Sequence, residues 1–166
     1  MKISLVIPAY NEQEVIGSTI SVCLDFLKEH FDSFEIIAVD DGSCDRTAAV
    51  IRSFGECICI SYKTNRGKGY AVKRGFLRAT GDYIFFTDAD LSYSPENILR
   101  ALALFQNENA CGVVGVRSEK HKDYPPLRHF ASFCFEKLVR LLLKTDITDT
   151  QCGFKAFDKQ SARMIF

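Results

Sequence analysis

Short apolar runs alternate along the chain with longer segments in which apolar residues recur at helical spacing. The runs predict strands at Ile3 to Ile7, Phe34 to Val39, Glu56 to Tyr62, Tyr83 to Thr87 and Gly112 to Val116. The other segments predict helices at Glu14 to Glu29, Asp45 to Phe54, Gly69 to Arg78, Ser94 to Asn107 and Leu127 to Leu143. This alternation is typical of an α/β fold in which a mostly parallel sheet is flanked by helices.

The size and charge of the chain limit what it can be. Its 166 residues suffice for one domain with a substantial core. The 21 basic and 21 acidic side chains give no net charge, so no overall field attracts nucleic acid, and we expect no nucleic-acid partner. Any phosphate binding must come from local groups.

The cysteines and the amino-terminal sequence bear on where the protein works. The seven cysteines are an odd number without Cys-x-x-Cys spacing, which favours reduced thiols over a disulfide framework. Pro8 interrupts the first apolar run, which is therefore neither the core of a signal peptide nor a membrane span. We expect a cytoplasmic protein, with peripheral attachment to the cytoplasmic face of a membrane as an open alternative.

Polar, charged or turn-forming residues follow every predicted strand. In order along the chain they are Pro8 to Glu12, Asp40 to Ser43, Asn65 to Gly69, Asp88 to Asp90, and Arg117. In an open parallel sheet, ligands bind outside the carboxyl ends of the strands. These residues therefore predict a ligand-binding rim, although polar loops are common after strands without any such role.

Several of these segments resemble, in the same order, the motifs of the family-2 glycosyltransferases of GT-A fold. The matching segments are Val6-Ile7-Pro8-Ala9-Tyr10-Asn11-Glu12, Val39-Asp40-Asp41-Gly42-Ser43 with Asp45 and Thr47, Asn65-Arg66-Gly67-Lys68-Gly69, Gly81-Asp82 with Asp88-Ala89-Asp90, and Asp149-Thr150-Gln151-Cys152-Gly153-Phe154-Lys155. Within the family, the chain looks most like the dolichyl-phosphate glucosyltransferases, and next like the mannosyltransferases.

The resemblance implies a GT-A, Rossmann-like sheet and an activity. That activity is inverting, metal-dependent transfer of a sugar, with glucose from UDP-glucose as the best match, to a polyprenyl or dolichyl phosphate. The implied partners are a nucleotide-sugar donor, a lipid-phosphate acceptor and a membrane surface. Two alternatives stay open: a transferase acting on a saccharide hydroxyl, and a non-catalytic nucleotide-sugar-binding module.

Asp88 and Asp90 end the fourth predicted strand, one residue apart. Alternate residues share one face of an extended chain with their Cβ atoms roughly 6.6 Å apart. Both carboxylates can therefore reach one hydrated cation, or each can bind a different part of the ligand. The resemblance implies division, with both residues catalytic: Asp90 binds Mg²⁺ or Mn²⁺, and Asp88 lies near the ribose. The alternative is a plain strand end before a helix capped at Ser94-Pro95-Glu96.

The resemblance also implies a donor site at the ends of the first, second and fourth strands. Its residues would be Pro8, Ala9, Tyr10, Glu12, Val39, Asp41, Lys68, Asp88 and Ala89. Asp41 would accept the imide N–H of uracil, although the Asp, Gly and Ser residues here also suit a plain turn. Lys68, between two glycines, would place its ammonium on the diphosphate.

The acceptor side is predicted from the later part of the chain. The segment from Leu127 to Leu143 is mostly apolar with interspersed basic residues, which suits either a well-packed helix or one lying on a membrane surface. The resemblance implies that Arg117, which is also a predicted catalytic residue, and Arg128 bind the acceptor phosphate. An ionised phosphate needs no catalytic base, whereas a hydroxyl acceptor would need one, and Asp149 is the candidate.

We expect residues 1–166 to be a single glycosyltransferase catalytic domain that is truncated at its carboxyl-terminal end. Phe166 falls inside a helix that is predicted to begin at Lys159. Catalytic domains of the family usually continue further, and residues beyond Phe166 could include part of the acceptor site or membrane-attachment elements.

Overall fold

A computed structural model of the protein describes residues 1–108, 110–115 and 152–166. The chain divides into two compact units: Met1–Val113 together with Gly153–Phe166, and Val114–Cys152. The helices and strands of the described residues belong to the first unit. The exception is Val114, the last residue of the strand Gly112–Val114, which belongs to the second unit. The helix predicted from Leu127 to Leu143 lies outside the described residues, and the single catalytic domain stays a prediction.

Strands and helices alternate along the described residues. The strands are β1 (Ile3–Ala9), β2 (Phe34–Asp40), β3 (Cys57–Ser61), β4 (Tyr83–Thr87), β5 (Gly112–Val114) and β6 (Phe154–Asp158). The helices are α1 (Ile16–His30), α2 (Thr47–Arg52), α3 (Lys68–Arg78), α4 (Asn97–Glu108) and α5 (Lys159–Ile165). Within the described ranges, no helix is long and apolar enough to cross a membrane.

The strands form one sheet in the order β3-β2-β1-β4-β6-β5. Strand β1 pairs in parallel with β2 and with β4, and β2 pairs in parallel with β3. The prediction of a mostly parallel sheet flanked by helices is thus confirmed. Every residue of β1 is buried, as a parallel strand covered on both faces requires.

Strand β1 runs two residues past its predicted end at Ile7 and includes Pro8. Its pairing with β4 ends at Val6, whereas its pairing with β2 continues to Ala9. Beyond Val6 the strand is therefore hydrogen-bonded on one side only, where a residue without an N–H is tolerated. The extension carries Pro8 and Ala9 to the carboxyl edge of the sheet.

Strand β6 is absent from the sequence predictions, and it pairs with β4 in the antiparallel direction. The register sets Tyr83 opposite Asp158 and Thr87 opposite Phe154. The five residues of β6 lead without a break into α5, so periodicity alone does not separate a short strand from the first turn of a helix. The start of β6 therefore lies beside the end of β4, where Asp88 follows.

Helix α3 packs on β1 and β2 next to the carboxyl edge. Ala71 and Gly75, four residues apart and both buried, share the helix face that meets the sheet. A Cβ atom at Gly75 would lie 3.1 Å from Val6 Cγ2 and 3.3 Å from Val39 Cγ2, so a larger residue would push the helix outward. Val39, predicted as a donor-site residue, belongs to this core and is fully buried.

Three helices begin two or three residues later than predicted, at Ile16, Thr47 and Asn97. Before α4, the N–H of Asn97 donates to the Ser94 carbonyl at 3.1 Å, and that of Ile98 to the Pro95 carbonyl at 2.9 Å. These bonds span three residues, as in the tight 3₁₀ turns that often precede α-helices. The segment Ser94-Pro95-Glu96 is therefore the turn that leads into α4.

Candidate active site

A cavity of about 360 Å³ opens at the carboxyl ends of β1, β2 and β4. Its walls are Pro8, Ala9, Tyr10, Glu12, Asp41, Asn65, Gly67, Lys68, Ala71, Asp88, Ala89 and Asp90. The structure thus brings together every predicted donor-site residue except Val39, which is packed beneath α3, and it adds the predicted metal ligand Asp90. Their roles stay predictions.

The loop after β1 is fastened to the loop after β2 by hydrogen bonds. The Asn11 N–H donates to Ser43 Oγ at 2.9 Å, and Asn11 Oδ1 accepts the N–H of Cys44 at 2.9 Å. Asn11 has a φ of 55°, in the left-handed region that asparagine tolerates better than most residues. This bend carries Tyr10 and Glu12 to the cavity.

Asp45 and Thr47 complete this fastening. Asp45 Oδ1 accepts the Thr47 N–H at 2.9 Å and its hydroxyl at 2.5 Å, while Oδ2 accepts the N–H of Gln13 at 3.2 Å. Thr47 Oγ1 in turn accepts the N–H of Glu12 at 2.8 Å. Burial alone would raise the pKa of Asp45, but these hydrogen bonds outweigh it and lower the pKa. Both residues therefore hold the cavity wall in place from outside it.

The adjacent acids Asp40 and Asp41 are both buried and have separate partners. Asp40 accepts the Ser43 N–H at 3.1 Å and the Ser61 hydroxyl at 2.7 Å, so it closes the turn after β2. Asp41 Oδ1 accepts the Tyr62 hydroxyl at 2.6 Å. Of the pair, Asp41 is the one that lines the cavity.

A second donor reaches the same oxygen of Asp41, since the N–H of Arg66 lies 2.9 Å from Oδ1. Burial and the hydrogen bond to Asp41 raise the pKa of Tyr62, which therefore stays a neutral donor. Tyr62 lies outside the motifs that predict the site. No residue spacing could have found it, because the contact depends on the pairing of β2 with β3.

Lys68 and Asp88 form an ion pair across the cavity, with Lys68 Nζ 2.6 Å from Asp88 Oδ1. The Lys68 side chain is 54% exposed and that of Asp88 22% exposed, so both remain within reach of a ligand. Lys68 is the first residue of α3, and its ammonium lies 5.3 Å from the centre of the Phe86 ring. The positive end of the helix dipole adds to the lysine charge at this point.

Asp90 follows Asp88 in a tight turn. The Leu91 N–H donates to the Asp88 carbonyl at 3.3 Å, and Asp90 Oδ1 accepts the Ser92 N–H at 3.0 Å. Leu91 has a φ of 53°, a conformation that non-glycine residues other than Asn and Asp seldom adopt. The turn exposes Asp90 at the cavity mouth, while Asp88 stays half-buried.

The cavity is acidic. Four carboxylates line it, those of Glu12, Asp41, Asp88 and Asp90, against the single ammonium of Lys68. Burial raises the pKa of Glu12, and the negative charges of Asp90 and Asp45 raise it further. A diphosphate would be repelled here unless a cation entered with it.

The donor groups suit a hard divalent cation that is bound partly by its substrate. Among the described residues, no group of three His, Cys, Asp or Glu side chains could hold a metal ion by itself. Mg²⁺ and similar ions typically take one or two protein carboxylates and complete their shell with water and substrate phosphates. Asp90, exposed at the cavity mouth, offers such a carboxylate.

The predicted acceptor residues Arg117 and Arg128 and the candidate base Asp149 lie outside the described residues. Their roles stay predictions.

An open α/β sheet with a cavity at the carboxyl ends of its central strands is the architecture of the nucleotide-binding α/β proteins. Within that class the chain belongs to glycosyl transferase family 2, whose family model matches residues 4–166. Its fold is the GT-A fold.

Two curated relatives are dolichyl-phosphate beta-glucosyltransferases. That of Dictyostelium discoideum is 36% identical and the match covers 99% of this chain and 56% of the relative. That of Trichomonas vaginalis is 32% identical, over 99% of this chain and 55% of the relative. The chain thus spans little more than half the length of these relatives.

A solved structure shares the fold. Glucosyl-3-phosphoglycerate synthase from Mycobacterium tuberculosis, crystallised with Mn²⁺, UDP-glucose and phosphoglyceric acid, superposes with a TM-score of 0.73. The sequences are 22% identical, and the match covers 96% of this chain and 57% of that one. At 22% identity the similarity shows a shared fold and nothing about the substrate of this chain.

Proposed function

We propose that the chain is the catalytic part of a metal-dependent, inverting transferase that passes glucose from UDP-glucose to a dolichyl or polyprenyl phosphate. The observation that carries the proposal is the cavity in which Asp41, Lys68, Asp88 and Asp90 meet. The names of the two relatives support the choice of glucose and dolichyl phosphate. We propose that it works at the cytoplasmic face of a membrane, where such an acceptor is presented.

The nucleoside end of the donor is proposed to lie against β1 and β2. Among the described residues, Tyr62 and Arg66 donate to the Asp41 carboxylate, and both bond Oδ1. Oδ2 is therefore the proposed acceptor for the uracil imide N–H. The ring of Tyr10, 44% exposed at the cavity wall, offers an apolar surface for the base.

The diphosphate end is proposed to lie between Lys68 and Asp90. A divalent cation bound there would offset the negative charge that develops on the departing UDP. Lys68 supplies the only ammonium among the residues that line the cavity, and the start of α3 adds its positive dipole. Asp88, held by Lys68, would then face the ribose side of the donor.

The acceptor is proposed to be an ionised phosphate bound by Arg117 and Arg128. One of its oxygens would form a bond to the anomeric carbon while the bond from that carbon to UDP breaks on the opposite face. No proton has to be removed in this step, so no base is required. With a hydroxyl acceptor, Asp149 would have to take up the proton.

The test is incubation of the protein with radiolabelled UDP-glucose, Mn²⁺ or Mg²⁺ and dolichyl phosphate, followed by extraction of lipid-linked label. We expect lipid-linked glucose with the natural protein and its loss with Asp90→Asn. Glu96→Gln is the matched control, because Glu96 is an exposed acid in the turn before α4, outside the cavity. UDP-glucose binding without lipid product would contradict the proposed acceptor, and no UDP-glucose binding would contradict the donor as well.

A further inference from the structure

Strand β6 begins beside the end of β4, where Asp88 lines the cavity. It runs antiparallel to β4, and the last pair in register is Thr87 with Phe154. One residue further, this register brings Gly153 opposite Asp88. Residues directly opposite in an antiparallel pair project from the same face of the sheet, so a side chain at position 153 would meet that of Asp88.

The space for that side chain is already filled. A Cβ atom built on Gly153 would lie 2.7 Å from Asp88 Cγ, and closer still to Asp88 Oδ2. Rotation of the carboxylate about its Cβ–Cγ bond moves the oxygens but leaves Cγ in place. Relief would therefore require Asp88 to adopt another χ1 rotamer or β6 to move away from β4.

The need for glycine at this position is steric. The backbone of Gly153 does not adopt the left-handed conformation found at Gly42 and Gly67. Asp88 occupies the space beside it, and the same carboxylate pairs with Lys68 Nζ at 2.6 Å on its other oxygen. The Asp88 carboxylate is thus held between the backbone at the start of β6 and the ammonium at the start of α3.

We propose that Gly153 is a positioning residue for the donor site, whose missing side chain lets Asp88 pair with Lys68 and face the nucleotide sugar. The proposal rests on the proposed function, in that it takes the cavity to bind UDP-glucose with a divalent cation. A residue with a Cβ atom at 153 would turn Asp88 away and leave Lys68 without its partner.

The test is calorimetric titration of UDP-glucose in the presence of Mn²⁺, with thermal unfolding of each variant. Gly153→Ala is expected to weaken donor binding by about tenfold, as the loss of a positioned charge pair in a binding site commonly does. In an Asp88→Ala background the same substitution should change the dissociation constant by less than about twofold, because the two changes act on one contact. The double variant should also unfold at a higher temperature than Gly153→Ala alone.

Gly112→Ala is the matched control, since its Cβ atom would press on Phe157 Cδ1 at 3.0 Å and disturb the sheet away from Asp88. It should bind UDP-glucose like the natural protein.

Equal weakening of donor binding by Gly153→Ala with and without Asp88 would overturn the proposal, as would unchanged donor binding. If Gly153→Ala does not fold, the double variant should fold, and failure of both would also overturn it. Failure of the natural protein to bind UDP-glucose would instead contradict the proposed function.

Discussion

The hydroxyl of Tyr62 donates to Asp41 Oδ1 at 2.6 Å and so joins the residue after β3 to the residue after β2. Asp41 is 2% exposed, and its Oδ1 accepts the N–H of Arg66 as well as the Tyr62 hydroxyl. Hydrogen bonds to a buried charge stabilise a protein more than neutral ones do. The acceptor proposed for uracil is therefore held by a residue that does not itself line the cavity.

The first prediction concerns this bond. Tyr62→Phe should lower the free energy of unfolding by about 1 to 3 kcal/mol, because a buried carboxylate loses a donor. It should also weaken UDP binding. Urea unfolding and calorimetric titration of UDP measure the two effects. Tyr70→Phe is the matched control, since among the described residues the Tyr70 hydroxyl bonds only the Arg66 guanidinium, in an exposed contact of 3.1 Å, and it should leave both quantities nearly unchanged.

The second prediction separates the two ends of the donor. Lys68→Ala should weaken UDP binding by about tenfold, because the diphosphate loses a charge-assisted contact in an acidic cavity. Uridine, which carries no phosphate, should bind the variant and the natural protein alike. Titration of both ligands makes the comparison, with Lys73→Ala as control because Lys73 is exposed on the same helix. Equal weakening of uridine and UDP would show that Lys68 acts on the nucleoside instead.

The sequence identified the strands that build the cavity because each is a short apolar run bounded by turn residues, as at Tyr83 to Thr87. Strand β6 was not predicted, because five residues that run directly into a helix show too little periodicity to identify a strand. The contacts of Tyr62 and Gly153 could not be predicted either. Each depends on which strands are neighbours and in what register, and one sequence does not specify pairing between distant segments.

The third prediction concerns the bend at Asn11. Its φ of 55° disfavours residues with a Cβ atom and no local hydrogen bond, and its Oδ1 accepts the Cys44 N–H. Asn11→Ala should therefore destabilise the fold more than Asn11→Gly, by about 1 kcal/mol, because both lose the side-chain bond but only alanine adds backbone strain. Urea unfolding of the two variants measures the difference. Equal unfolding free energies would contradict a strained backbone at this position.

The fourth prediction concerns Glu35, whose side chain is 11% exposed at the end of the sheet opposite the cavity. Its Oε1 accepts the Ser4 hydroxyl at 2.6 Å and the Thr80 N–H at 2.7 Å, and Oε2 lies 3.3 Å from Lys2 Nζ. Burial alone would raise the pKa of Glu35, but these partners outweigh it and hold the pKa below its ordinary value of 4.5.

Because the folded pKa is the lower one, the charged form stabilises the protein above about pH 4.5, and this contribution is lost as pH falls through the folded pKa. Glu35→Gln should lower the free energy of unfolding near neutral pH by about 1 to 3 kcal/mol. The difference between the variant and the natural protein should shrink in acid, since glutamine has no charge to lose. Urea unfolding from about pH 7 to about pH 3 measures this difference.

Glu56→Gln is the matched control, because Glu56 is in an ion pair in which its side chain is 59% exposed, and this variant should show little change in stability at any pH. A constant difference in unfolding free energy between Glu35→Gln and the natural protein across this range would show that folding does not lower the pKa of Glu35.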